Sequence, residues 1–122
     1  MQESHPNPID TNISFDDLTK DQQKFLVTLY KEYLARKSSQ SNSKARTFPN
    51  VKYIQENYFE KSDIDDLFFI CCALHKAQFI KCSFYDNTAC NIIITDKTIS
   101  YMENRITNGL KGVLNFLTKF YP

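Results

Sequence analysis

Residues 79–103, FIKCSFYDNTACNIIITDKTISYME, limit the folds open to this chain more than any other stretch. Ile80, Cys82 and Phe84 alternate with Lys81, Ser83 and Tyr85. Cys90, Ile92 and Ile94 alternate with Asn91, Ile93 and Thr95. Successive side chains of a strand point to opposite faces, so this period of two predicts two half-buried strands. Tyr85-Asp86-Asn87-Thr88 lies between them. Asp and Asn accept the left-handed conformations that a tight reversal requires. Thr95 or Asp96 then offers a cap for a helix whose apolar positions are Ile99, Met102 and Ile106.

Upstream, the pattern is helical. Ser14 to Asp17 and Thr19 to Gln22 both have the spacing of a capping box. From Thr19, the residues Phe25, Leu26, Leu29, Tyr30, Tyr33 and Leu34 form an apolar stripe about five turns long. Residues 37–47, KSSQSNSKART, are Ser-rich and basic, long for a connector inside a compact domain. Either this connector is mobile or its end, around Arg46 to Phe48, forms a short strand against the hairpin. Pro49-Asn50 opens a helix over 51–58, with Val51, Ile54 and Tyr58 on one face. Ser62-Asp63-Ile64-Asp65 reads as a further capping box. The helix it opens runs to about Lys76, with Ile64, Leu67, Phe68, Cys71 and Leu74 as its buried stripe. Gly109 and Gly112 break or soften the chain, and a last helix from Leu110 to Tyr121 carries Leu110, Val113, Leu114, Phe116, Leu117 and Phe120. That apolar surface exceeds what one face of a terminal helix requires, and packing onto a second copy would bury it.

The order α, (β), α, α, β, β, α, α predicts an α+β fold: a winged helix-turn-helix with a long connector between helices 1 and 2 and an added C-terminal helix. The expected division is a loose N-terminal arm over 1–13, a winged-helix domain over 14–106 and a C-terminal, dimer-forming helix over 107–122. Residues 62–104 resemble the end of a bacterial winged helix of the YjcQ-like type. The resemblance rests on the capped acidic third helix, on Leu74 leading to Phe79-Ile80, and on Thr95-Asp96-Lys97-Thr98-Ile99-Ser100-Tyr101-Met102-Glu103. This chain has Gln78 and Thr98 where that pattern usually has glycine. The resemblance spans roughly Phe25 to Tyr121 and implies a small non-enzymatic protein of phage or prophage character.

Function is less legible. The formal net charge is +1, so no global basic field draws the chain onto nucleic acid. The apolar runs are too short to span a bilayer, and no basic-apolar leader opens the chain, which predicts a cytoplasmic protein without membrane contact. Catalysis has little to stand on. His5 and His75 are the only histidines, there is no Gly-rich phosphate loop, and the acidic pairs Asp16-Asp17 and Asp65-Asp66 are sequence neighbours that do not face each other on a helix. Cys71, His75, Cys82 and Cys90 invite a zinc test, but they lack the short ligand spacings and belong to apolar patterns, so core cysteines and no metal or other cofactor are expected.

Two binding readings follow. The first, a nucleic-acid-binding or transcription-regulator-like winged helix, is the expectation, which fold frequency favours. The second, a protein-interaction module, is the alternative, which the charge distribution favours. In the first, double-stranded DNA is gripped without sequence reading by Arg36, Lys37, Lys44, Arg46 and Lys52, with a homodimer formed through the last helix. In the second, the third helix serves a protein partner. Its Asp63, Asp65, Asp66, Phe69 and Ile70 would cover a basic surface, as an inhibitor of a nucleic-acid-binding protein does. The aspartates at the start of that helix repel phosphate, and the hairpin tip carries no cation, both of which count against ordinary groove docking.

Overall fold

A computed structural model of the chain describes residues 13–107. The expected arm before residue 13 and the last helix, with Leu110, Val113, Leu114, Phe116, Leu117 and Phe120, lie outside the described residues, as does the Ile106 side chain. The fold is α+β. Helices α1 (Lys20–Arg36), α2 (Asn42–Ala45), α3 (Val51–Tyr58), α4 (Ile64–Lys76) and α5 (Asp96–Thr107) surround strands β1 (Thr47–Asn50), β2 (Ile80–Tyr85) and β3 (Thr88–Ile94). The three strands form one antiparallel sheet in the order β1-β3-β2.

Local chemistry sets the boundaries. Thr19 caps α1: its hydroxyl accepts the Gln22 N–H at 3.1 Å, and the Gln22 side chain accepts the Thr19 N–H at 3.0 Å. Asn50 caps α3 by accepting the Tyr53 N–H at 2.7 Å. The cap of α4 is Asp63 rather than Ser62; its Oδ1 accepts from the N–H groups of Asp65 at 2.8 Å and Asp66 at 3.3 Å. Asp satisfies two of the orphan donors and adds negative charge at the positive end of the helix.

The basic connector is ordered. Ser41 accepts the Lys44 N–H at 3.2 Å and starts the single turn α2, and Tyr33 donates to Asn42 Oδ1 at 3.0 Å. Residues 47–50 then form the strand β1, which pairs with β3 through Thr47–Ile93, Phe48–Ile92 and Asn50–Cys90. Pro49, lacking an N–H, fits because β1 is an edge strand.

The helix α1 departs from a one-sided stripe. All six residues from Phe25 to Tyr30 are buried, whereas Leu34 is exposed. Helices α2, α4 and α5 pack around α1, so its middle has no solvent side. In the hairpin, Asp86 (φ 44°) and Asn87 (φ 62°) form a two-residue reversal with both central residues left-handed. Asn91 (φ 51°) adds an extra residue to β3 between the pairs Lys81–Ile93 and Ser83–Cys90. The bulge shifts the alternation. Ala89, Ile92 and Ile94 are buried, while Cys90 and Cys82 are only half-buried and Phe84 is exposed.

The connection from α4 to β2 is a Schellman turn with Gln78 (φ 65°) in the position glycine usually fills. The Phe79 N–H donates to Leu74 O at 2.9 Å and the Gln78 N–H to His75 O at 3.0 Å. The start of α5 clamps this turn. Thr95 Oγ1 donates to Gln78 O at 2.7 Å, Lys97 Nζ to Ala77 O at 2.8 Å, and the buried Thr98 Oγ1 to Phe79 O at 2.6 Å. Lys97 Nζ also lies 4.2 Å from the centre of the Phe79 ring. The Thr95 hydroxyl thus donates to the turn before β2.

Candidate functional site

The buried stripe of α4 is Leu67, Cys71 and Leu74, which faces α1. Positions 68, 69, 72, 73 and 76 fall on the other side of a helix with 3.6 residues per turn. There Phe68, Phe69, Cys72, Ala73, His75 and Lys76 form one wall of a groove of about 750 Å³, and Phe84, Tyr85, Asp86 and Asn87 of the hairpin form the other. The rings are organised. Phe84 meets Phe68 edge-on at 6.1 Å and His75 edge-on at 5.1 Å, and Phe69 lies 5.7 Å from Phe68. Phe69 is 66% exposed, Tyr85 60% and Phe84 41%, so three large apolar side chains on one surface face water. His75 Nδ1 accepts the Cys82 N–H at 3.3 Å, which assigns the proton of the neutral ring to Nε2 and ties the groove wall to β2.

The five residues assigned to a protein partner do not form one patch. Asp65 and Phe69 lie one turn apart, and Phe69 lines the groove. Asp63, Asp66 and Ile70 line a separate hollow of about 370 Å³ between α4 and the start of α1, together with Asp21 and Lys24. Among the described residues, Asp65 and Asp66 make no ion pair.

The basic set also divides. Arg36 is consumed inside the fold. Its Nε donates to Glu32 at 3.1 Å, Nη1 to Thr47 O at 3.0 Å and Nη2 to the Tyr53 hydroxyl at 3.0 Å, and its guanidinium lies 4.5 Å above the Phe48 ring. It holds α1, β1 and α3 together. Arg46 Nη1 donates to Asp96 at 2.9 Å and to Ile94 O at 3.3 Å. Lys37, Lys44 and Lys52 are exposed, Lys37 standing 5.4 Å from the Tyr33 ring. A further cationic surface, of which sequence pointed only to Arg46, surrounds a shallow site of about 420 Å³ where Arg46, Lys81 and Lys97 meet beside Asp96. It depends on strand pairing between segments 50 residues apart, which no local spacing announces.

The four cysteines are free thiols. Burial pushes Cys82 up from 9.0 to about 12, and it raises Cys71 and Cys72 as well. Such thiols stay protonated at neutral pH and are poor nucleophiles and ligands. Cys82 Sγ lies 4.0 Å from His75 Nδ1, but no three metal-ligating side chains converge among the described residues. No described helix is long and apolar enough to cross a membrane. No family model, curated protein or solved structure matches this chain.

Proposed function

We propose that the chain is a winged helix used as a protein-docking module, with α1, β1, α3, α4 and the β2–β3 hairpin as the winged-helix elements. The element order and the strand order β1-β3-β2 support that fold reading. The observation that carries the functional reading is the outward face of α4. A DNA reader would present donors there; this face presents Phe69 against Phe84 and Tyr85. Exposed aspartates stand at the N-terminal end of the same helix. The matching partner is a cationic amphipathic helix, its apolar stripe on the aromatic groove and its basic flank beside Asp65 and Asp86. No catalytic step is part of this reading.

The competing reading is contact with a phosphate backbone through Lys37, Lys44 and Lys52, the exposed members of the basic set. One titration separates the two. Three fluorescent probes are compared at low salt: a Leu/Phe-striped helix flanked by lysines, the same helix flanked by glutamates, and a random-sequence DNA duplex. Docking predicts the order lysine helix, glutamate helix, duplex. Phe69→Ala should weaken the lysine helix by about tenfold, the loss of a buried aromatic anchor. Tight duplex binding that collapses with added salt, with no Phe69-dependent helix binding, would overturn the docking reading.

A further inference from the structure

The partner chemistry just described occurs in this chain itself. Residues 108–122, NGLKGVLNFLTKFYP, carry Leu110, Val113, Leu114 and Leu117 at helical spacing, with Phe116 and Phe120 beside them. Their charged side chains are Lys111 and Lys119, with no acid. The groove presents the complement: exposed Phe69, Phe84 and Tyr85, exposed Asp86 at the hairpin tip, and exposed Asp65 one turn before Phe69, against Lys76 on its wall.

Geometry then bears on the choice between the chain's own segment and a neighbour's. The helix α5 packs on α1, and its later turns reach Asp16, through the Tyr101 hydroxyl at 3.2 Å and Arg105 at 3.2 Å. The groove lies on the face of α4 turned away from α1. Asn108 and Gly109 alone separate Thr107 from Leu110, a link of roughly 10 Å at full extension. A two-residue link leaving α5 on the α1 side favours a neighbour's segment over the chain's own for the outer face of α4.

We infer that the groove receives residues 110–120 of a second copy, which accepts the first copy's segment in return, closing a two-fold dimer. This inference rests on the docking reading of the groove and names its occupant. A competing cationic helix would bind only by displacing it.

The chain contains no tryptophan, so Phe116→Trp in the full chain supplies a single reporter. Light scattering should give the mass of a dimer, and the tryptophan emission should be blue-shifted. Adding Phe69→Asp, at a side chain already 66% exposed, should yield monomers with red-shifted emission and an unchanged far-ultraviolet dichroism spectrum. Lys111→Glu with Lys119→Glu should weaken the dimer at least fivefold, the effect weakening in high salt. A dimer indifferent to Phe69→Asp overturns the inference, because the segment would pair elsewhere. A monomer with a blue-shifted signal that depends on Phe69 overturns it in favour of the chain's own segment. A monomer with exposed tryptophan removes the second copy. The docking reading survives either monomer result if the lysine-flanked helix still binds through Phe69.

Discussion

Gln78 shows how a single residue absorbs the cost of a junction. It closes α4 in the left-handed region at φ 65°, where a side chain with a Cβ is disfavoured by about 1–2 kcal/mol. The turn survives because its carbonyls are held from outside by Thr95 and Thr98. Gln78→Gly should therefore stabilise the fold by about 1 kcal/mol, read as a higher urea midpoint with an unchanged slope. Arg36 is the opposite case. In sequence it looks like one cation among five; in the fold it spends its donors on Glu32, Thr47 and Tyr53. Nothing near position 36 in the chain announces partners that lie 11 and 17 residues later. Lys44 and Lys52 remain at the surface.

At the scale of elements, α1, α3 and α4 were legible because each carries its own start, whereas the single turn α2 inside the connector was not. Thr19 and Asn50 are caps that bond within their own first turns, so local spacing suffices to find them. The hairpin was legible for the same reason up to its reversal. The bulge at Asn91 was not. Plain alternation places Cys90 inside, but the extra residue on β3 buries Ala89 instead and leaves Cys90 half-exposed. A bulge is a relation between two strands, and one strand's pattern does not contain it. The segment 95–98 gained a meaning that a cap reading lacks. It fastens α5 to the end of α4, with Thr98 fully buried for that purpose. Thr98→Val keeps the shape and removes the donor to Phe79 O. It should cost about 1–2 kcal/mol in chemical denaturation, moderated because the Thr95 N–H also donates to that carbonyl.

For the whole molecule, the buried hydroxyl and thiol groups set an alkaline limit. Burial raises Tyr30 from 10.0 to about 12, with the Glu103 charge and Tyr33 adding to it, and burial raises Cys82 from 9.0 to about 12. Both groups keep their protons longer folded than unfolded. Between the two values the unfolded chain has released the proton and the folded chain has not, so stability falls as pH rises. Thermal unfolding should be independent of these groups below about pH 8 and shift downward from about pH 9 to 12. Tyr30→Phe should flatten the upper part of that decline.

The sheet edges carry one more consequence. On one side, Pro49 interrupts β1; on the other, His75 has taken the N–H of Cys82 in β2. Neither border offers an unbroken row of backbone donors for an incoming strand. Recognition must then pass through side chains, which discriminate by shape and charge. Backbone pairing, which would accept almost any extended segment, is hindered at both borders. This domain should therefore resist fibril growth in concentrated solution and be selective about what it admits.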